Sequence, residues 1–167
     1  MRPWLFACLL TVFAATETAA QNTCRQFSWS VGRRINLFDD YLPLVKSAQS
    51  LPKEGAFSLE LRPADEVIYF VAPERGQDSG YGGLVTIEYL PAGRYQIALS
   101  QEAWVDAVQE NARLPILAVD RSSHCPGVRQ SVEVTLQGQP LTIQIGGAKV
   151  QRLSIAVVRV WPFDWRW

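Results

Sequence analysis

The stretch that most restricts what this chain can become is 83–100, where two alternating runs flank a Pro91-Ala92-Gly93 link. Val85, Ile87 and Tyr89 alternate with Thr86 and Glu88 before the link. Tyr95, Ile97 and Leu99 alternate with Arg94, Gln96 and Ala98 after it. A period of two on both sides of a Pro/Gly turn predicts two β-strands, each with one buried and one wetter face. The three-residue link suits a hairpin. It equally suits a corner that carries the chain from one sheet to another, in which case Tyr95 points into the core.

Strand patterns continue on either side. Residues 56–61 alternate, Pro63-Ala64-Asp65 reads as a turn, and 67–72 is apolar almost throughout, as in a strand covered on both faces. Val128, Gln130, Val132, Val134 and Leu136 fall on one side of a later strand, Leu141, Ile143 and Ile145 on one side of the next, and 153–160 closes the series. About seven to nine short strands, with turn signals roughly every 8–12 residues, predict a mainly β protein, a sandwich or barrel over residues 56–167. Residues 41–55 and 111–126 each hold two prolines and little period, and read as connector and loop. Four glycines between 76 and 83 (Gly76, Gly80, Gly82 and Gly83) read as a flexible loop.

Upstream the period changes. Phe27, Val31, Ile35 and Phe38 recur at helical spacing, so one amphipathic helix is expected within residues 21–55, covering one face or end of the sandwich. Before it, Arg2, an apolar run from Trp4 to Ala15 and the small residues Thr18-Ala19-Ala20 form the pattern of a secretory signal peptide, with cleavage before Gln21. The apolar run is shorter than the roughly 20 residues a spanning helix needs. The expected location is therefore periplasmic or secreted.

Removing the first 20 of 167 residues leaves 147, the size of a single domain. Arg2 and Glu17 leave with the signal segment, so 15 basic and 15 acidic residues remain of the original 16 of each. Balanced charge gives no electrostatic footing for a nucleic-acid partner. Of three cysteines, Cys24 and Cys125 remain, and an oxidising compartment favours their pairing. Such a bridge closes a loop of about 100 residues, worth roughly 4–5 kcal/mol in the chain-entropy treatment.

The Pro-x-Gly-x-Tyr unit between the opening strands resembles the Leu-x-x-Gly-x-Tyr corner of secreted β-sandwich and jelly-roll modules. Pre-peptidase C-terminal domains and carbohydrate-binding modules are among these. Cys24 with Trp29, Gly93 with Tyr95, Trp104 with Asp106, and Cys125 make the mature chain similar to a group of exported proteobacterial proteins without an assigned activity. The resemblance implies an antiparallel, jelly-roll-like β-sandwich and export. It implies no reaction.

Chemistry is narrowed by elimination. With His124 the only histidine, no site needing two imidazoles can be assembled within one chain. Paired cysteines supply neither a thiolate nucleophile nor a zinc site. Residues 76–80 lack the Gly-x-Ser-x-Gly spacing of a nucleophile elbow. Asp120, Ser122, Ser123 and His124 share a loop, and adjacency alone does not align a serine on the imidazole. No metal or cofactor is expected. A carboxylate pair for hydrolysis is fixed by the fold and not by spacing, so it stands as the alternative.

An aromatic–polar surface is what remains. If 103–108 is a strand, Trp104, Asp106 and Val108 share one face, and an indole beside a carboxylate suits a sugar's C–H face and hydroxyls. With the glycine-rich 76–83 segment they are the expected ligand surface, for an envelope glycan or a protein. A buried Trp104 with Asp106 capping a turn is the reading favoured for these two residues. The C-terminal Trp161-Pro162-Phe163-Asp164-Trp165-Arg166-Trp167 alternates aromatics, as in a final strand, a partner-binding patch or the last strand of an outer-membrane barrel. Pro162 and short strands count against the barrel.

Overall fold

The structure, a computed structural model, describes Cys24, Phe38 and residues 41–75, 79–125 and 127–160. The expected signal segment, most of the expected amphipathic helix and the aromatic C-terminus lie outside the described residues. Twelve strands follow in order: β1 (Leu44–Lys46), β2 (Gln49–Leu51), β3 (Ala56–Glu60), β4 (Arg62–Pro63), β5 (Tyr81–Ile87), β6 (Gly93–Leu99), β7 (Trp104–Gln109), β8 (Ala112–Arg113), β9 (Ile116–Arg121), β10 (Gln130–Leu136), β11 (Leu141–Ala148) and β12 (Arg152–Arg159). A short 3-10 turn, Ala64–Glu66, stands where the sequence predicts a turn.

The strands form two sheets, which we call A and B. Sheet A runs β1-β3-β12-β6-β10-β9, and sheet B runs β2-β5-β11-β7-β8 with β4 paired to β5. Phe57, Leu59, Tyr95, Ile97, Leu99, Val132, Val134 and Ile155 from sheet A meet Val85, Ile87, Ala107, Leu141, Ile143 and Ile145 from sheet B in one core. Inward residues alternate with outward ones along each strand, as two packed sheets require. The mainly β sandwich is therefore present, with both sheets open at their edges and no closed barrel among the described residues.

The opening pair of strands is not a hairpin. β5 belongs to sheet B and β6 to sheet A, so Pro91-Ala92-Gly93 is the corner between them. Tyr95 points inward, is fully buried, and donates its hydroxyl to the Pro91 carbonyl at 3.0 Å. That bond closes the corner on itself and satisfies the one polar atom that an otherwise apolar side chain brings inside.

Four sequence expectations are corrected. The sandwich is mixed and not purely antiparallel, because β1 pairs parallel with β3 and β2 parallel with β5. Residues 41–55 are not only connector: β1 and β2 are three-residue strands, one on an edge of each sheet, joined at Ser47-Ala48. Strands that short carry too little alternation to be legible. Likewise 111–126 supplies β8 and β9.

The fourth correction matters most for the site. Residues 67–72 do not form a strand, and Ile68 and Phe70 are 90% and 61% exposed. The segment crosses the outer face of sheet B as a strap. Its polar groups are turned inward: Tyr69 donates to the Ile145 carbonyl at 2.9 Å, and the Gln144 side chain exchanges two hydrogen bonds with the Val71 backbone at 2.9–3.0 Å. An apolar run cannot tell a covered strand from a strap held through its backbone.

On the far side of the molecule Cys24 and Cys125 form the expected disulfide, with Cα atoms 4.6 Å apart. It packs with Phe38 against Ala56, Ala98, Ala156, Val128 and Val158 on the outer face of sheet A. Ala56, Ala156 and Ala98 lie in register across three neighbouring strands, so their short side chains leave a shelf on which the bridge can rest.

Candidate functional site

The candidate residues Trp104 and Asp106 lie on β7, whose register with β11 places Trp104 opposite Gly146 and Asp106 opposite Gln144. Val105 and Ala107 turn into the core, so Trp104, Asp106 and Val108 share the outer face, as the alternation predicts. Asp106 caps no turn. It is 3% exposed, on a strand, beneath the strap.

Arg113 connects it to the strap. From β8 its Nε lies 3.5 Å from Asp106 Oδ2, its Nη1 donates to Glu74 at 2.5 Å, and its Nη2 donates to the Ala72 carbonyl. The Arg75 guanidinium sits over the Trp104 ring, 5.1 Å from its centroid, a cation–π arrangement. Three buried polar atoms meet here without a hydrogen-bond partner: Trp104 Nε1, Asp106 Oδ2 and Arg113 Nε. Two are donors and one is an acceptor. Burial pushes the Asp106 carboxyl above its ordinary value, with Glu74 adding to the rise. Arg113 and the nearby indole N–H, which makes no well-aligned bond, pull it the other way.

The glycine-rich segment is not a flexible loop where it is described. Gly82 and Gly83 are strand residues of β5. A Cβ on Gly82 would collide with the Tyr69 hydroxyl, and one on Gly83 would come 2.9 Å from Ser47 Oγ. These positions are bare because the strap and the β1–β2 link cross them. Gly76 lies outside the described residues.

The Ser122–Cys125 turn assembles no triad. Ser122 Oγ accepts from the backbone N–H groups of His124 and Cys125 at 3.2 Å, which is a local turn bond. Ser123 Oγ lies 3.0 Å from His124 Nδ1, but no carboxylate among the described residues contacts that imidazole. No group of three or more His, Cys, Asp or Glu side chains gathers to hold a metal among the described residues.

A second buried carboxylate, which sequence reasoning missed, is Glu133 on β10. It is fully buried on the outer face of sheet A and ion-paired with Arg94. Burial raises its carboxyl above the ordinary range, Arg94 lowers it, and Asp120 on the adjacent strand raises it again. Asp106 and Glu133 lie on opposite outer faces and cannot act together. Glu133 and Asp120 share a face, but a fully buried Glu133 offers no approach to a substrate.

Comparison with known proteins adds little to this geometry. No protein-family profile and no curated protein matches the chain. Among solved structures it is similar to the pre-peptidase C-terminal domain of a collagenase from Bacillus anthracis. The TM-score is 0.41 at 6% identity, over 71% of this chain and 100% of that one.

Proposed function

We propose that this chain is an exported, non-catalytic binding protein of the cell envelope. Its binding site is the Trp104–Asp106–Arg113 corner of sheet B, which takes a polyhydroxylated ligand such as an envelope glycan. One observation carries the reading: Trp104 Nε1, Arg113 Nε and Asp106 Oδ2 are buried beside a partly exposed indole and form no hydrogen bond, Arg113 Nε and Asp106 Oδ2 meeting only as an ion pair at 3.5 Å. A hydroxyl group donates and accepts at once, so it satisfies an acceptor and a donor in the same place. A buried polar atom without a hydrogen bond costs about 1–3 kcal/mol, less for Asp106 and Arg113 because of their ion pair, and ligand binding recovers that cost. The Cys24–Cys125 bridge is compatible with export. A ligand stacking on the strap side of Trp104 takes the place of Arg75.

Titration of intrinsic fluorescence with soluble envelope glycans tests this. Because the chain has six tryptophans, the change must be assigned by comparing wild type with Trp104→Phe. A saturable change that disappears in Trp104→Phe and weakens in Asp106→Asn is expected. No change with wild type, or binding untouched by Trp104→Ala, sinks the reading.

A further inference from the structure

We propose that the ligand of the Trp104 corner is cationic, an amino sugar whose ammonium takes the seat that Arg75 holds over the indole. The proposal rests on the glycan-binding reading above and narrows its ligand class.

The present occupant of the ring is the first observation. The Arg75 guanidinium lies 5.1 Å from the Trp104 centroid, at an exposed position of the strap. Arg75 forms no ion pair among the described residues, so its charge faces the ring and not a carboxylate. An indole face carries the negative lobe of the ring's quadrupole and attracts a cation directly. The seat suits positive charge, and the chain fills it with its own side chain.

The charges around the seat favour the same sign. Two carboxylates, Asp106 and Glu74, share one guanidinium: Arg113 Nε is 3.5 Å from Asp106 Oδ2, and Arg113 Nη1 donates to Glu74 at 2.5 Å. With both acids ionised the three side chains carry one net negative charge, and Arg75 brings the corner to zero. A neutral ring stacked in place of Arg75 gives up the cation–π contact and displaces the balancing charge. An anion there meets Asp106 and Glu74 as like charges. An ammonium keeps both favourable interactions.

The buried atoms beside the seat select a sugar among cations. Trp104 Nε1, Arg113 Nε and Asp106 Oδ2 form no hydrogen bond, and a hydroxyl both donates and accepts. An amino sugar offers an ammonium and hydroxyls on neighbouring carbons of one rigid ring, so one ligand meets both needs. A lysine side chain supplies the charge without the hydroxyls.

The experiment is calorimetric titration of the full chain with a β-1,4-linked glucosamine tetramer, its fully N-acetylated form and a tetralysine peptide. Wild type, Arg75→Ala, Glu74→Gln and Trp104→Phe are compared, with circular dichroism to confirm that each is folded. Arg75 and Glu74 are exposed, so their variants read the seat even if Trp104→Phe disturbs packing. The glucosamine tetramer should bind wild type about tenfold tighter than the acetylated form, which has lost the charge. Arg75→Ala should tighten that binding about two- to five-fold, because the competing cation is gone. Glu74→Gln and Trp104→Phe should weaken it. Acetylated and free-amine tetramers that bind equally overturn the proposal and leave the glycan reading standing. Weaker binding in Arg75→Ala overturns it too, since Arg75 would then contact the ligand instead of competing with it. Tetralysine binding as tightly as the glucosamine tetramer assigns the seat to a peptide and overturns it. If neither tetramer binds, the proposal and the glycan reading fall together.

Discussion

The Tyr69 hydroxyl occupies the space that any side chain at position 82 would need, and from there it donates to the Ile145 carbonyl at 2.9 Å. Gly82 and Tyr69 are therefore one feature: a bare point on β5 and the ring that crosses it. The strap over Asp106 starts at this crossing.

Gly82→Ala should accordingly lower stability by about 1–3 kcal/mol, the usual cost of an atom forced into a packed site. Tyr69→Phe should cost less, about 0.5–1.5 kcal/mol, because only the hydrogen bond to Ile145 is lost. Denaturant unfolding of both single variants and the double should be non-additive, since the hydroxyl that the added methyl group strikes is absent in the double. Additive losses would show that the two residues do not meet.

Gln144→Met keeps the length of the side chain but removes both bonds to the Val71 backbone. Amide exchange at Val71 and its neighbours should accelerate well before global unfolding, while the β10 amides keep their protection. Equal acceleration throughout the sandwich would instead mean that the strap and the sheets unfold as one unit.

Glu133→Gln should change how stability depends on pH. A carboxyl raised by burial binds its proton more tightly in the folded than in the unfolded chain. Its contribution is then fully present below the unfolded value, ordinarily 4.5, and is lost as pH rises through the higher folded one. Thermal melts from acid to neutral pH should show the variant gaining on wild type across that rise, with a constant difference above it. A difference independent of pH would mean that Arg94 cancels the burial.

Cys24→Ser, paired with Cys125→Ser, removes a link between residues 101 apart in sequence. The loss should be about 2–5 kcal/mol, read as a drop in the denaturation midpoint without a change in native circular dichroism. A midpoint equal to that of the oxidised wild type would mean that the shelf on sheet A holds Cys24 and Phe38 without the covalent bond.

Alternation was enough to locate β3, β5, β6, β10, β11 and β12, because each has one face in the core and runs for five to eight residues, long enough for a period of two to show. Elements of two or three residues, β1, β2, β4 and β8, left no such trace. The face shared by Trp104 and Asp106 was legible for the same reason as the long strands. Arg113, Arg75 and Gln144 were not, since they reach the site from β8, the strap and β11, far apart in the chain.

Buried glutamines are the clearest case of what local reading misses. Gln144 grips Val71, Gln130 exchanges bonds with the Ala103 backbone, and Gln109 bonds the backbone at Gln137 and Gln139. Each places an amide where a crossing segment needs a donor and an acceptor, a role invisible without knowing which segments cross. The sequence by itself determined that this chain is a layered β protein with a break between two strands at Pro91–Gly93 and, given an oxidising compartment, that Cys24 and Cys125 are the pair available for a bridge. Backbone pairing and the inward–outward period are local properties. Only the tertiary structure decided that β5 and β6 part into different sheets, that residues 67–75 lie across sheet B, and that Asp106 is buried under them. Those outcomes depend on contacts between residues distant in sequence, whose energies no local pattern records.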